Sequence, residues 1–332
     1  MVDIVEKAGD NRLVRQADRQ NYIDVMRGIG ILLVMLGHSI ATINEPTNKL
    51  ILSFHMPLFF FISGMLFYNR EFKKPGKFFY GKFRRLIVPQ IVMALITIVV
   101  SIIIDVILTK DLSLKNVQYL GAFDAWFLIV LFIVDSVMYV VLKISKKPIY
   151  LICLTVVFFI GFLLLSYKEF HIQQALCALF FAMVGYLSKK YLDLYALKYS
   201  NFMGIGFLLL AVTAILTKFN SPVAMYMNDY GNKLLFAVTA IIGILAIFDI
   251  SVTIEKVKIL QFFGINSLIV YVTHAAILRV LHKAITVIGL PHDVYPNYYI
   301  VFLSLLVIEI GVVWLVNKMC PWLFGIQKKV EK

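Results

Sequence analysis

About ten apolar runs, each near the length that crosses a bilayer, recur along this chain and decide what it can fold into. They fall near 24–43, 50–68, 84–108, 122–142, 149–166, 171–188, 200–217, 232–250, 259–285 and 298–317. A hydrocarbon core of about 30 Å needs about 20 helical residues at 1.5 Å each. Inside it every backbone N–H and C=O must be bonded within the segment, which for runs of this length means α-helix. The chain therefore reads as an all-α, polytopic integral membrane protein. With 61% hydrophobic and only 15% charged residues, a single water-soluble core is excluded. Runs 149–166 and 171–188 are short enough to tilt or to stop before a full crossing. Pro89 falls in the first turns of the third run, where a helix tolerates it, and Pro57 is expected to bend the second.

The formal charge of +13 does not point to nucleic acid, because the basic residues flank the apolar runs. Placing the N-terminus inside puts 24 of the 32 lysines and arginines on the inner side, and the reverse orientation does not. Both termini are thus expected in the cytoplasm. The layout is a basic tail over 1–22, a membrane domain over 23–320 and a short tail over 321–332. The polar first 22 residues do not read as a cleavable signal. Cys153, Cys177 and Cys320 have neither metal-ligand nor disulfide spacing, and no metal is expected.

Within the first run, Arg27 and His38 are eleven residues apart. Eleven steps of about 100° come within about 20° of three turns, so both side chains lie on one face, about 16 Å apart along the axis. A guanidinium suits phosphate by charge and fork geometry, and an imidazole suits proton transfer near neutral pH. One continuous channel joining the two is the expectation. Asp24, at i−3 from Arg27, can orient the guanidinium.

Ionisable groups inside spans are functional candidates because their burial is costly. His38 and His274 each lie about 21 Å from the inner edge of their helices. His55 enters from the other side at nearly the same level, so three helices bring imidazoles to one height. Glu309 is mid-span, as a cavity wall or a histidine partner. Ser63 is a candidate polar liner. Asp135 and Asp105 can pair or snorkel, and Asp124 and Trp126 open the fourth helix at the outer interface. Arg279 and Lys283, one turn apart, face either an acidic group or headgroups, with headgroups the favoured reading; His171, His282 and His292 fall at interfaces or in loops. The basic loop from Asn69 to Arg85 has two readings: a positive-inside signal, or Arg84 and Arg85 joining Arg27 around a phosphate-rich ligand.

Tyr22-Ile-Asp24 followed by Arg27-X10-His38 resembles the first helix of the bacterial acyltransferase family 3 membrane proteins. Phe54-His55-Met-Pro57-Leu-Phe-Phe-Phe-Ile-Ser63-Gly64 is similar to that family's second-helix motif. The likeness continues through Lys82-Phe-Arg84-Arg85-Leu-Ile-Val-Pro89 and Ala125-Trp126-Phe127-Leu128. Gly185-Tyr186-Leu-Ser-Lys189-Lys190, Tyr230-Gly-Asn232, Gly264-Ile-Asn266-Ser267 and His274 resemble its fucose 4-O-acetylase-like branch. The resemblance implies a multi-pass plasma-membrane enzyme that moves acetyl, or another short acyl group, from cytosolic acyl-CoA. The acceptor it implies is a hydroxyl of a surface carbohydrate or its lipid-linked precursor, reached alone or with a partner protein.

On this reading Arg27, with Arg84 or Arg85, holds the CoA phosphates, and His38 is the general base. His55 orients His38 or donates to the oxyanion. Asp24, Ser63, Trp126, His274 and Glu309 line the substrate space. Gly28, Gly30 and Gly37 either leave room beside the first helix or mark helix packing. The alternative from another class is a non-catalytic transporter of glycans or their intermediates, which ten spans and a mid-depth polar cluster also suit. A ligand-sensing receptor is a third reading, with no signalling module to support it.

Overall fold

The computed structural model describes residues 21–40, 42–68, 70–72, 74–109, 126–167, 169–199, 204–287, 289 and 297–324. Residues 1–20 of the expected basic tail over 1–22, most of the C-terminal tail, Asp124, His292 and the Asp105 side chain lie outside the described residues. Among the described residues there are eleven α-helices and no β-strand. They are α1 (Asn21–Ser39), α2 (Pro46–Phe67), α3 (Pro75–Thr109), α4 (Trp126–Ile144), α5 (Pro148–Leu164) and α6 (Ile172–Tyr199). Then come α7 (Gly204–Leu216), α8 (Lys233–Thr253), α9 (Lys258–Ile265), α10 (Ser267–Val287) and α11 (Asn297–Met319). Eight of these are long and apolar enough to cross a membrane, and α5 and α7 are shorter apolar helices. The chain is an all-α, polytopic membrane protein.

Local chemistry sets several helix ends. Pro46 opens α2, where its missing N–H is not needed, and the Glu45 carboxylate accepts from the Asn48 N–H at 2.9 Å. Asn232 caps α8 by accepting from the Leu235 N–H at 3.0 Å. The ninth apolar run, read from sequence as one span, is broken at Asn266. Its amide donates to the Phe262 carbonyl at 2.8 Å and accepts from Asn317 of α11 at 2.9 Å. A side chain bonded to its own helix end competes with continuation of the ladder. Pro89 is also placed differently: α3 begins at Pro75, inside the basic loop, so the proline sits mid-helix.

Helices α2 and α8 are the most buried spans, whereas α3 and α11 lie at the periphery. Leu95, Val99, Leu303 and Val307 on those outer helices are exposed, the surface a hydrocarbon solvent would cover. The central helices touch backbone to backbone. A Cβ at Gly28 would stand 2.0 Å from the Leu260 carbonyl oxygen, and one at Gly64 1.8 Å from that of Ala182. In lipid, close approach through small residues is what holds helices together. Buried polar ties add to it: Tyr22 donates to Asp193 at 2.6 Å, and Tyr195 to Asp249 at 2.6 Å, joining α1 to α6 and α6 to α8.

Candidate active site

His38, His55 and His274 come from α1, α2 and α10 and line one cavity of about 670 Å³. The His38 and His274 rings are 5.2 Å apart, tilted by 48°. His55 and His274 are buried, and each Nδ1 lies against the carbonyl one turn back, Ile51 at 2.8 Å and Val270 at 3.0 Å. A carbonyl can only accept, so both Nδ1 atoms carry a proton. His38 differs. It is exposed to the cavity and makes no hydrogen bond to any described residue, so its ring can meet a substrate proton.

Two residues assigned from sequence to interfaces stand in this cavity instead. Arg279 and His282 share its wall with Tyr271, His274 and Ala275. Successive steps of three, one, four and three residues keep them along one side of α10. Trp126, expected both at the outer interface and among the residues that line the substrate space, lines it as well and packs 6.4 Å from Phe60. Glu309 neither lines the cavity nor meets a histidine. It is fully buried on α11 and bonded to the Thr273 hydroxyl at 2.9 Å, bracing α10 from behind.

A second cavity, about 390 Å³, is lined by Arg27, Arg70, Lys82 and Arg85. Ser63 and Asp135 line it as well. Asp135 is buried, accepts from Ser63 at 2.6 Å and forms an ion pair with Lys82. The carboxylate thus pairs, one of the two fates expected. Arg70 and Lys82 were legible only as members of the basic loop. Arg70 stacks over Phe78 at 5.1 Å; burial pulls its pKa below the usual arginine value, Asp135 opposes this, and Arg85 adds to the lowering. Arg84, expected beside Arg27, is exposed and lines neither cavity, because one helical step of about 100° turns it away from Arg85. Asp24 lies behind the wall, 3.9 Å from the Arg27 guanidinium.

Arg27 and Ile31 line the basic cavity; Val34 and His38 line the histidine cavity. The steps of four, three and four keep all four on one face of α1, as the eleven-residue spacing requires. The expected single channel is not what the structure holds. The two cavities are distinct and share one lining residue, Tyr271. Its ring lies 5.0 Å from Phe127 and 5.9 Å from His274, so aromatic side chains from α4 and α10 stand where the two cavities meet. Helical phase fixes the α1 face but not what neighbouring helices project over it. Nor do the α1 glycines open a way through. Gly28 meets the α9 backbone, Gly30 meets Phe59 and Leu58, and Gly37 meets Asn48 and Ile51. All three meet neighbouring helices, and Gly37 also lines the histidine cavity.

No curated protein and no solved structure matches this chain. The sequence model of the family described as an acyltransferase domain, acyltransferase family 3, matches residues 20–318 and so takes in both cavities and every helix between them. A membrane protein with a cavity-exposed imidazole one stripe along from a basic pocket, and with that match over nearly its whole length, belongs to the acyltransferase family 3 membrane enzymes.

Proposed function

We propose that this membrane acyltransferase takes an acetyl or other short acyl group from acyl-CoA on its basic side. It delivers the group to a hydroxyl of a carbohydrate, free or lipid-linked, in the histidine cavity. The observation that carries this reading is the paired arrangement itself: a basic cavity and a histidine cavity on one face of α1, meeting at Tyr271. Phosphate and nucleotide suit the basic cavity. Lys82 is paired with Asp135, and Arg27, Arg70 and Arg85 bring guanidinium forks to the cavity, the group that matches phosphate oxygens bidentately. The N-terminal residues Ser267 and Leu268 of α10 line the same space, where a helix favours an anion. The positive-inside bias of the sequence assigns this side to the cytosol.

The histidine cavity suits a sugar. Trp126, Tyr226 and Tyr271 supply flat apolar faces, and Asn48 and Gln90 supply hydrogen-bonding amides. His38 takes the proton of the acceptor hydroxyl as its oxygen bonds to the acyl carbon, and returns that proton to the departing thiolate as the carbon–sulfur bond breaks. The buried His55 and His274, fixed by their carbonyl bonds, hold the cavity wall around it. For the thioester to reach His38, the Tyr271 and Phe127 rings must swing aside.

The test is purified protein in detergent, given acetyl-CoA with and without glycan acceptors. Release of free CoA that depends on His38, with mass spectrometry showing an acyl group added to the glycan, is the expected result. Glycan movement across vesicles without thioester turnover would favour a transporter and overturn this reading.

A further inference from the structure

One part of the histidine cavity wall is not built from a long apolar helix. The connection from α7 to α8 lays Val223, Met225 and Tyr226 along it. This loop is tied to itself. Ala224 and Asp229 exchange backbone hydrogen bonds of 2.8 and 3.1 Å around a tip that turns through left-handed Asn228, with φ at 58°. At the base of the loop the Asn220 side chain donates to the Tyr230 carbonyl at 3.1 Å and accepts from the Asn232 N–H at 2.8 Å. Val223, Met225 and Tyr230 are buried and anchor the loop, whereas Tyr226 is held at the cavity wall with 50% of its surface open. Phe170 and Phe219 are exposed as well, as aromatic side chains at a membrane interface commonly are, but they line neither cavity.

A pyranose is amphipathic: its hydroxyls lie around the rim, and its faces present C–H bonds. The negative face of an aromatic ring attracts such C–H groups, and a tyrosine on a fixed backbone loses little freedom in meeting them. The cavity that Tyr226 shares with His38, at about 670 Å³, lies in the range that takes drug-sized ligands, more than one sugar ring fills. We propose that Tyr226 is the stacking face of a second sugar subsite, so that the acceptor is an oligosaccharide or polymer held over at least two sugar units. One unit offers its hydroxyl to His38 while a neighbour lies on Tyr226. The α7–α8 loop is then the element that sets acceptor length. This deepens the reading of the cavity as the acceptor site and rests on it.

The test measures transfer from radiolabelled acetyl-CoA to methyl glycosides of glucose, galactose and N-acetylglucosamine, each supplied as the monosaccharide and as its β-linked trisaccharide. For every sugar that accepts acetyl, kcat/KM for the trisaccharide is expected to exceed that for the monosaccharide by roughly threefold to tenfold, the worth of one aromatic face. Tyr226→Ala should bring that ratio to about one, and Tyr226→Phe, which keeps the ring, should preserve it. Phe219→Ala, at a site 74% exposed and outside both cavities, should leave both rates unchanged. If Tyr226→Ala does not fold, as judged by its melting temperature in detergent, the ratio in Tyr226→Leu decides, since leucine fills the place without a ring. Equal kcat/KM for monosaccharide and trisaccharide in the parent protein overturns the second subsite. So does a ratio that Tyr226→Ala or Tyr226→Leu leaves in place, which would make the tyrosine an interfacial or structural ring. Absence of His38-dependent transfer to any of these sugars overturns instead the reading on which the subsite rests.

Discussion

His38 and His274, from helices at opposite ends of the chain, bring their rings within 5.2 Å of each other on the wall of one cavity, His38 exposed and His274 buried. His274 spends its Nδ1 proton on the Val270 carbonyl and is buried. On the proposed mechanism the two imidazoles have different work: one exchanges protons with a substrate, and the other shapes the space in which that happens.

His38→Ala is expected to reduce acyl transfer by about 10²–10⁴-fold, the usual worth of a positioned general base. Its detergent melting temperature should stay near the parent value, since the ring makes no hydrogen bond to a described residue. Steady-state rates and a thermal melt on the same preparation check this. Full activity would reject His38 as the base.

Arg27→Ala and Arg70→Ala should each raise the KM for acetyl-CoA by roughly tenfold to a hundredfold, the worth of a charge-assisted hydrogen bond of about 1.5–3 kcal/mol. A short acetyl thioester lacking the nucleotide should be affected much less. Equal losses with both donors would remove these residues from the phosphate role. Arg84→Ala, on an exposed position outside both cavities, should change neither value.

Tyr271 is the one lining residue common to the two cavities. Tyr271→Trp, which enlarges the obstruction, should lower kcat by roughly a hundredfold if the reacting groups are held apart, with little change in KM for acetyl-CoA. Single-turnover mixing separates that effect from donor binding. A rise in KM with an unchanged kcat would place the tyrosine in donor binding instead.

Lys82 and Asp135 form a buried pair in the basic cavity, with Ser63 on the second carboxylate oxygen. Lys82→Ala leaves that carboxylate without its cation and should cost about 3–5 kcal/mol. Combining it with Asp135→Ala should recover much of the loss. A double-mutant cycle on detergent melts measures the coupling, and additive losses would mean the pair contributes nothing.

Gly64→Ala puts a Cβ 1.8 Å from the Ala182 carbonyl oxygen, a backbone atom that cannot rotate away. Overpacking of this kind costs about 1–3 kcal/mol or more. A lower melting temperature and a lower yield of folded protein are expected. Gly81→Ala is the control, because a Cβ there meets nothing within 4 Å.

Much of the fold was legible in the residues, and for one reason: lipid leaves a long apolar run little choice but helix, so length and hydropathy alone order the spans. The 3.6-residue period carried the reading further, placing Arg27 and His38 on one stripe before any neighbour was known. Depth along a helix is also a local quantity, which is why three histidines on three helices could be assigned to one level. Composition and spacing stop there. Which way a helix turns its other faces depends on the helices it meets, and those contacts link residues far apart in sequence. So Arg279 and His282 read as surface residues until α10 was seen against the cavity, and Glu309 read as a cavity wall until Thr273 was seen to hold it. Arg70 likewise joined the site only when its loop folded over Phe67 and Phe78. The break between the two cavities was invisible for the same reason: it is made by Tyr271 and Phe127, aromatic rings on two helices that only packing brings 5.0 Å apart. The chain by itself determined what spans, in what order and with which face charged; the packed helices decided what each charge faces and where the passage closes, because side-chain contact is a property of neighbours and not of period.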